Sequence, residues 1–320
     1  MKWKRWLSLI GISIFIYLVY RIGLANILSG FEHIKIFYFI LFLFFIPISL
    51  FMLTLKWAFI LKEQGINLSL SELFKIYIIG TFYGIITPAK AGSLIRAHYI
   101  QKRTNKGLVE ISTSIIVERA LDILSILFLS IIGTILLFSK NSILIINLII
   151  SFSILVAVSI FFLNEKRSRF VFSLIFKYIL PKSLKEKVDA SFSSFYKSIP
   201  SIKSILFFAL VTMFTWLIAG LQASFMFRAF SVDVPFLNTI TIFLISVAVG
   251  TIPITVSGLG TREATLIALL GLFNVPAARI MSASILLLVI GSLLPAFIGF
   301  LLSLKEDKNE IFNNHSTSAR

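Results

Sequence analysis

The chain contains no cysteine, which excludes disulfides, thiolate catalysis and iron–sulfur or zinc–thiolate centres. Histidine is nearly as scarce: His33, His98 and His315 are the only three, they lack ligand spacing, and no metal site is expected. Acidic residues number 14 against 30 lysines and arginines, and the aspartates are just Asp122, Asp189, Asp233 and Asp307. A metal-dependent lipid phosphotransferase needs clustered carboxylates, and an intramembrane phosphatase needs a positioned histidine. Neither pattern is present, so enzyme activity by this chain alone is not expected. No nucleotide-binding motif occurs either, which argues against use of ATP, and no cofactor is expected. Charge of both signs is thin at 14% of residues, where a soluble domain carries about a quarter.

What fills the chain instead is apolar: 58% of its 320 residues are hydrophobic, and the mean hydropathy is +0.98. The stretches 36–55, 143–163, 205–227 and 280–304 are uncharged, each near the roughly 20 residues that a helix needs to cross about 30 Å of hydrocarbon. A β-barrel would show alternating segments of about ten residues, whereas these runs are continuously apolar. Lys2, Lys4 and Arg5 precede the apolar stretch 7–20 as in a signal peptide, yet no small-x-small cleavage site follows, so a retained first helix is expected. The net charge of +16 sits between apolar spans. It reads as positive-inside topology and contact with anionic lipid, and no nucleic-acid partner is expected.

Lysine and arginine counts between spans set the expected topology. The N-terminus lies in the cytoplasm, the loop with Arg21 and Lys35 outside, and the loop around Lys56, Lys62 and Lys75 inside. The next apolar segment, 73–87, is short and ends at Pro88, ahead of Lys90, Arg96, Lys102, Arg103 and Lys106. A full crossing would carry those five cations outward, whereas a re-entrant hairpin turning at 88–92 keeps them inside. Segments 111–138 and 143–163 then cross out and back to a basic cytoplasmic loop, 165–203. Within it Leu184, Val188, Phe192, Phe195 and Ile199 recur on one helical face, which predicts a helix lying on the membrane surface. Segment 205–227 crosses outward. After Asp233 and Pro235 comes a second broken segment, 236–252, interrupted at Pro253 and Ser257-Gly258-Leu259-Gly260 and followed by a short helix over 262–272.

The expectation is an all-α polytopic membrane protein: about six full transmembrane helices plus two re-entrant helical hairpins. Residues 1–304 form a single transmembrane domain and 305–320 a disordered tail, with both termini on the cytoplasmic side of the cell membrane. Each hairpin has a proline, a glycine turn and then an arginine: Pro88, Gly92 and Arg96 in the first, Pro253, Gly258, Gly260 and Arg262 in the second. Broken helices at corresponding places in two halves point to an inverted repeat around a midplane substrate site. Ordinary kinked helices are the alternative.

The stretch Thr87-Pro88-Ala89-Lys90-Ala91-Gly92-Ser93-Leu94-Ile95-Arg96, then Val117-Glu118-Arg119 with Asp122, then Pro253-Ile254-Thr255-Val256-Ser257-Gly258-Leu259-Gly260-Thr261-Arg262-Glu263 resembles the flippase-like family. This is also called the lysylphosphatidylglycerol synthase transmembrane region, the N-terminal membrane half of the multiple peptide resistance factor. The resemblance spans about residues 5–304. It departs in two places: Ser257-Gly258 stands where the family commonly has two glycines, and the aminoacyl-transferring domain is absent. The resemblance implies lipid translocation without lipid aminoacylation.

The charges inside apolar segments agree with that expectation. Glu118, Arg119 and Asp122 lie roughly 10–17 Å deep if the cytoplasmic end of their helix marks the interface, and insertion scales charge each about 2.5–3.5 kcal/mol at the bilayer centre. They must face the protein interior, where Arg119 can pair with Asp122 at i, i+3. An ion pair fixing helix packing and direct participation in transport are both open. Arg96 and Arg262 each follow a glycine turn at a helix start, where free N–H groups, the helix dipole and a guanidinium fork suit a lipid phosphate; snorkelling to the interface is the competing role. Glu263 would offset part of the charge of Arg262, or accept a proton or a cationic lipid head group. The expected function is movement of a phospholipid or polyprenyl-phosphate-linked lipid between leaflets, with anionic lipids as partners. A non-catalytic scaffold for a lipid-modifying enzyme and a small-solute transporter are the alternatives.

Overall fold

The structure, a computed structural model, describes residues 3–32, 34–137, 142–169, 182–252, 255 and 258–317, and among them the regular elements are all helical. In chain order they are α1 (Trp3–Ile22), α2 (Leu24–Ser29), α3 (Ile36–Glu63), α4 (Leu70–Ile85), a 3-10 turn (Pro88–Leu94), α5 (Ile95–Gln101), α6 (Leu108–Leu137) and α7 (Ser142–Leu163). Then follow α8 (Lys182–Lys197), α9 (Ile202–Ala229), α10 (Phe236–Thr251), α11 (Thr261–Gly271) and α12 (Ala277–Leu288), which passes through a π turn (Val289–Leu293) into α13 (Leu294–Thr317). Pro253, Ser257 and most of the loop before α8 lie outside the described residues.

Four helical stretches among the described residues are long and apolar enough to cross a membrane: Ile36–Glu63, Leu108–Leu137, Ile202–Ala229 and Ala277–Glu306. Shorter apolar helices run over Ile12–Ile22, Ile145–Phe161 and Phe236–Thr251. Large apolar side chains such as Phe37, Phe44, Leu136 and Leu210 point outward, an outer surface suited to lipid rather than water. Helix starts are set locally. Ser69 caps α4 by accepting the Glu72 N–H at 3.3 Å while the Glu72 carboxylate accepts the Ser69 N–H at 3.1 Å, a reciprocal capping box.

Helices of matching length recur at one spacing along the chain. Ile202 and Ile36, Phe236 and Leu70, and Thr261 and Ile95 start matching helices, each pair 166 positions apart. Helices α3 and α9 are both 28 residues long, and α4 and α10 both 16. The match extends to how the long helices stop. The Ile66 N–H donates to the Leu61 carbonyl at 2.9 Å, and the Val232 N–H to the Phe227 carbonyl at 3.0 Å. Gly65 and Ser231 take the left-handed conformation between them, φ +70° and +56°, as a helix end of this type requires.

The two copies run in opposite directions. Helices α3 and α9 pack antiparallel: the Lys35 N–H donates to the Ala229 carbonyl at 2.8 Å, Ser49 Oγ to Gln222 Oε1 at 2.8 Å, and Ser204 Oγ to Glu63 Oε1 at 2.7 Å. The shorter helices are exchanged between the copies. Helix α4 packs on the last long helix, where Gly299 admits the backbone of Ile78, and α10 packs on α6, where Gly133 admits Thr241.

One boundary differs from expectation. Lys56 is expected in a cytoplasmic loop, but α3 continues through it to Glu63, because Trp57-Ala58-Phe59-Ile60-Leu61 keeps the helix apolar after the lysine. Helix α13 runs to Thr317, and Arg103 pairs with Glu306 at 2.7 Å.

Candidate functional site

Where α3, α4, α5 and α6 meet, a network of charge lies largely buried, with Arg119 at its half-buried edge. Glu118 on α6 is fully buried, and its Oε2 accepts from Arg96 Nη2 at 2.6 Å. Its Oε1 accepts from the Tyr77 hydroxyl at 3.3 Å and lies 3.7 Å from Lys56 Nζ. One turn along, Asp122 accepts from Lys56 Nζ at 2.6 Å and faces Arg119 Nη1 at 3.5 Å. The guanidinium of Arg96 lies over Trp57 and Tyr77, 4.4 and 4.8 Å from the ring centroids, a geometry in which a desolvated cation gains from the ring quadrupole. Gly80 leaves the space for it, since a Cβ there would strike Arg96 Cγ and Cδ. Such a cluster is tolerable in an apolar interior because each ion meets opposite charge; removing one partner would leave an uncompensated buried charge.

Arg96 therefore does not snorkel to an interface, nor does it stand at a free helix start. The 3-10 turn runs directly into α5, and the Ile95 N–H is taken by the Gly92 and Ser93 carbonyls. Gly92 closes the turn: its N–H donates to Thr87 Oγ1 at 2.7 Å, and a Cβ would collide with the Tyr83 carbonyl. Lys90, at the tip, has φ +55°, a left-handed conformation that few non-glycine residues adopt. Its side chain is solvent-accessible yet hemmed in by protein, and it lies in electrostatic range of Lys56, Arg119 and Asp122.

The second copy is organised differently. Gly258, 166 positions after Gly92, has φ +77° and packs against Gly250, where a Cβ would come within 2.9 Å of the Gly250 Cα. Gly260 follows at φ +84°. Arg262, 166 positions after Arg96, donates through Nε and Nη2 to Glu263 Oε1 at 3.1 and 2.8 Å, and Glu263 Oε2 accepts the Gly260 N–H at 2.7 Å. The start of α11, expected to offer its N–H groups to phosphate, is thus capped in part by its own carboxylate. Ser284, 166 positions after Glu118, donates to Glu263 Oε1 at 3.1 Å. The partner acid has moved from the long helix to the residue beside the arginine.

Lys90 is also in electrostatic range of Arg262. Three buried donors here, Arg96 Nη1, Arg119 Nε and Ser93 Oγ, have no hydrogen-bond partner among the described residues. Of the residues singled out from sequence, the structure brings Arg96, Arg119, Glu118 and Asp122 into one network, and sets Arg262 with Glu263 in another. Gly92, Gly258 and Gly260 shape the turns, Pro88 opens the first turn, and Pro253 lies outside the described residues. Lys56, Tyr77, Trp57 and Ser284 were missed. For Lys56 a signal existed, a single cation with apolar residues on both sides, the pattern of an intramembrane ionisable group.

Two related copies in opposite directions, wrapped in outward apolar helices and enclosing charge, describe a membrane-embedded unit. A family model described as the lysylphosphatidylglycerol synthase transmembrane region matches residues 6–299. The chain belongs to this family. It is a multi-pass membrane protein. Similar proteins include a UPF0104 membrane protein of Methanocaldococcus jannaschii, 26% identical over 79% of this chain and 80% of that protein. A second protein of that organism with the same description is 29% identical over 72% of this chain and 99% of its own length. A UPF0104 membrane protein of Pyrococcus horikoshii is 23% identical over 95% of this chain and 98% of its own.

Proposed function

We propose that the protein moves a phosphate-bearing lipid between the leaflets of the cell membrane, without a catalytic reaction of its own. The observation that carries this reading is the pair of glycine turns on antiparallel helices, each placing an arginine at the same position, Arg96 and Arg262, against a buried carboxylate. In this reading α4–α5 and α10–α11 are re-entrant hairpins that enter from opposite faces, the copies form an inverted repeat, and six helices cross fully. Such repeats place a substrate site near the midplane, where each copy in turn can open to its own side. A head group must cross a hydrocarbon layer in which an isolated charge is costly, and a fork of guanidinium donors is suited to phosphate.

Reconstitution into liposomes with labelled lipids of different head groups tests the proposal, the expected result being leaflet exchange faster than in empty liposomes. If none of the phospholipids or polyprenyl phosphates exchanges faster, the proposal fails, and copurification of a lipid-modifying enzyme would support the scaffold reading. The topology is tested separately by single cysteines, to which the native chain contributes no background. Positions 90, 103, 182 and the C-terminal tail should label from the cytoplasm, and 141 and 233 from outside. External labelling at 103 would show that α4 crosses fully.

A further inference from the structure

Between the two glycine turns the formal charges do not cancel. Lys56, Lys90, Arg96, Arg119 and Arg262 supply five positive charges, while Glu118, Asp122 and Glu263 supply three negative ones. Tyr77, the other titratable group in the network, donates its hydroxyl and adds no charge. The carboxylates are already spoken for: Glu118 by Arg96, Lys56 and Tyr77, Asp122 by Lys56 and Arg119, and Glu263 by Arg262, Ser284 and the Gly260 N–H. The donors are not exhausted, since Arg96 Nη1, Arg119 Nε and Ser93 Oγ are buried without an acceptor among the described residues. Arg96 and Ser93 are each only 1% exposed. Lys90, the accessible member, is held at the turn in a left-handed backbone conformation. The buried and half-buried groups thus leave one surplus positive charge, the exposed Lys90 adds a second, and with its spare donors the site is complementary to an acceptor-rich anion carrying at least two negative charges.

We infer that the site selects lipids whose phosphate head group carries at least two negative charges, a phosphomonoester or a diphosphate on a long apolar chain, over singly charged phosphodiester lipids. This rests on the reading of the protein as a lipid translocase and narrows its substrate class. A phosphodiester such as phosphatidylglycerol would leave one surplus charge uncompensated. A lysylated phosphodiester, whose two ammonium groups outweigh its phosphate, would increase the surplus. A phosphomonoester brings close to two negative charges at neutral pH and three terminal oxygens that accept hydrogen bonds. Asp122 and Glu263 orient Lys56 and Arg262, and Lys90 supplies the charge that separates dianion from monoanion.

The test is binding by the whole chain in neutral-lipid nanodiscs, read by native mass spectrometry and by Trp57 fluorescence, this tryptophan lying against Arg96. The probes are farnesyl phosphate, farnesyl diphosphate, phosphatidylglycerol, inorganic phosphate and inorganic diphosphate. The two farnesyl probes should bind about tenfold or more tightly than phosphatidylglycerol, a difference of roughly 1.4 kcal/mol. Lys90→Gln should reduce that ratio to within about threefold, and Asp122→Asn, which adds to the surplus, should raise it. Lys90 is accessible, so its variant is not expected to disturb folding. Equal affinity for phosphatidylglycerol and the farnesyl probes, or a ratio indifferent to both substitutions, overturns the inference. Inorganic phosphate or diphosphate binding as tightly as its farnesyl ester would assign the site to a free anion and overturn it too. Labelled-lipid exchange on the same protein separates the two failures. Exchange without dianion preference removes only this inference, whereas dianion preference without exchange keeps the head-group site and removes translocation.

Discussion

The two turns share a backbone and differ in chemistry. In the first, Arg96 is sealed in, its carboxylate partner comes from a different helix, and two aromatic rings cover its face. In the second, the side chain of Arg262 is 13% exposed and its partner is the adjacent residue in the chain. A long-range pair to Glu118 ties α5 to α6, and through Lys56 to α3, so that the first turn is anchored to two long helices. The local Arg262–Glu263 pair ties α11 to little beyond itself and Ser284. The same arginine position therefore serves mainly as an anchor in one copy and as the more available group in the other. In the proposed translocation cycle, Arg262 is the arginine expected to leave its carboxylate more readily.

The largest test of this contrast is Glu118→Gln. It removes the anion that compensates Arg96 and Lys56, and breaking such a buried pair costs about 3–5 kcal/mol. The expected outcome is a sharp loss of thermal stability in detergent and of folded protein in the membrane. A melting temperature equal to that of the unchanged protein would show that the first turn is not anchored in this way.

Next in size is Arg262→Ala, which should leave the protein folded but slow lipid exchange. Losing a charge-assisted hydrogen bond at the rate-limiting step costs about 1.5–3 kcal/mol, or roughly tenfold to somewhat over a hundredfold. Arg262→Lys should be impaired as well, because a point ammonium does not reproduce a two-pronged contact. An equal fall in folded protein and in exchange would instead make Arg262 an anchor like Arg96.

A third test moves the acid. Glu263→Ala should reduce exchange, and adding Ser284→Glu, which returns the carboxylate to the position equivalent to Glu118, should recover part of it. Recovery is expected to be incomplete, since Glu263 also caps the Gly260 N–H. No recovery at all in well-folded protein would mean that the two copies are not interchangeable at this position. The smallest effect belongs to the entrance of α4, where Ser69→Ala should cost about 1 kcal/mol through loss of the helix cap. Helix α10, which starts after Pro235 without a side-chain cap, offers no equivalent. A Ser69→Ala protein unchanged in melting temperature would show that packing alone holds α4.

Much of this was legible from the order of residues because membrane insertion depends on coarse quantities. Runs of about 20 apolar residues define helices whatever their neighbours are, and the proline and glycine interruptions after 87 and 252 mark where helices break. The short helix after the second break was expected over 262–272 and is Thr261–Gly271. Charge within an apolar helix costs enough that Glu118, Arg119 and Asp122 had to face protein, and they do so in part through the expected Arg119–Asp122 pair. Lys56 was read otherwise because a lysine at the end of an apolar run is ordinarily an interfacial anchor. What makes it a buried partner is Asp122, 66 positions away.

Sequence alone thus determined the all-helical membrane architecture, the positions of the two interrupted segments and the need for an interior that receives charge, all of which follow from local hydrophobicity and backbone chemistry. Tertiary structure alone decided who partners whom. The antiparallel packing of α3 on α9 sets the copies in opposite directions, and the crossing of α3, α5 and α6 puts Lys56, Arg96 and Glu118 within reach. In the second copy, by contrast, the acid is supplied from the next residue. Electrostatic energy depends on distances of a few ångströms, and residues far apart in the chain acquire those distances only when the helices pack.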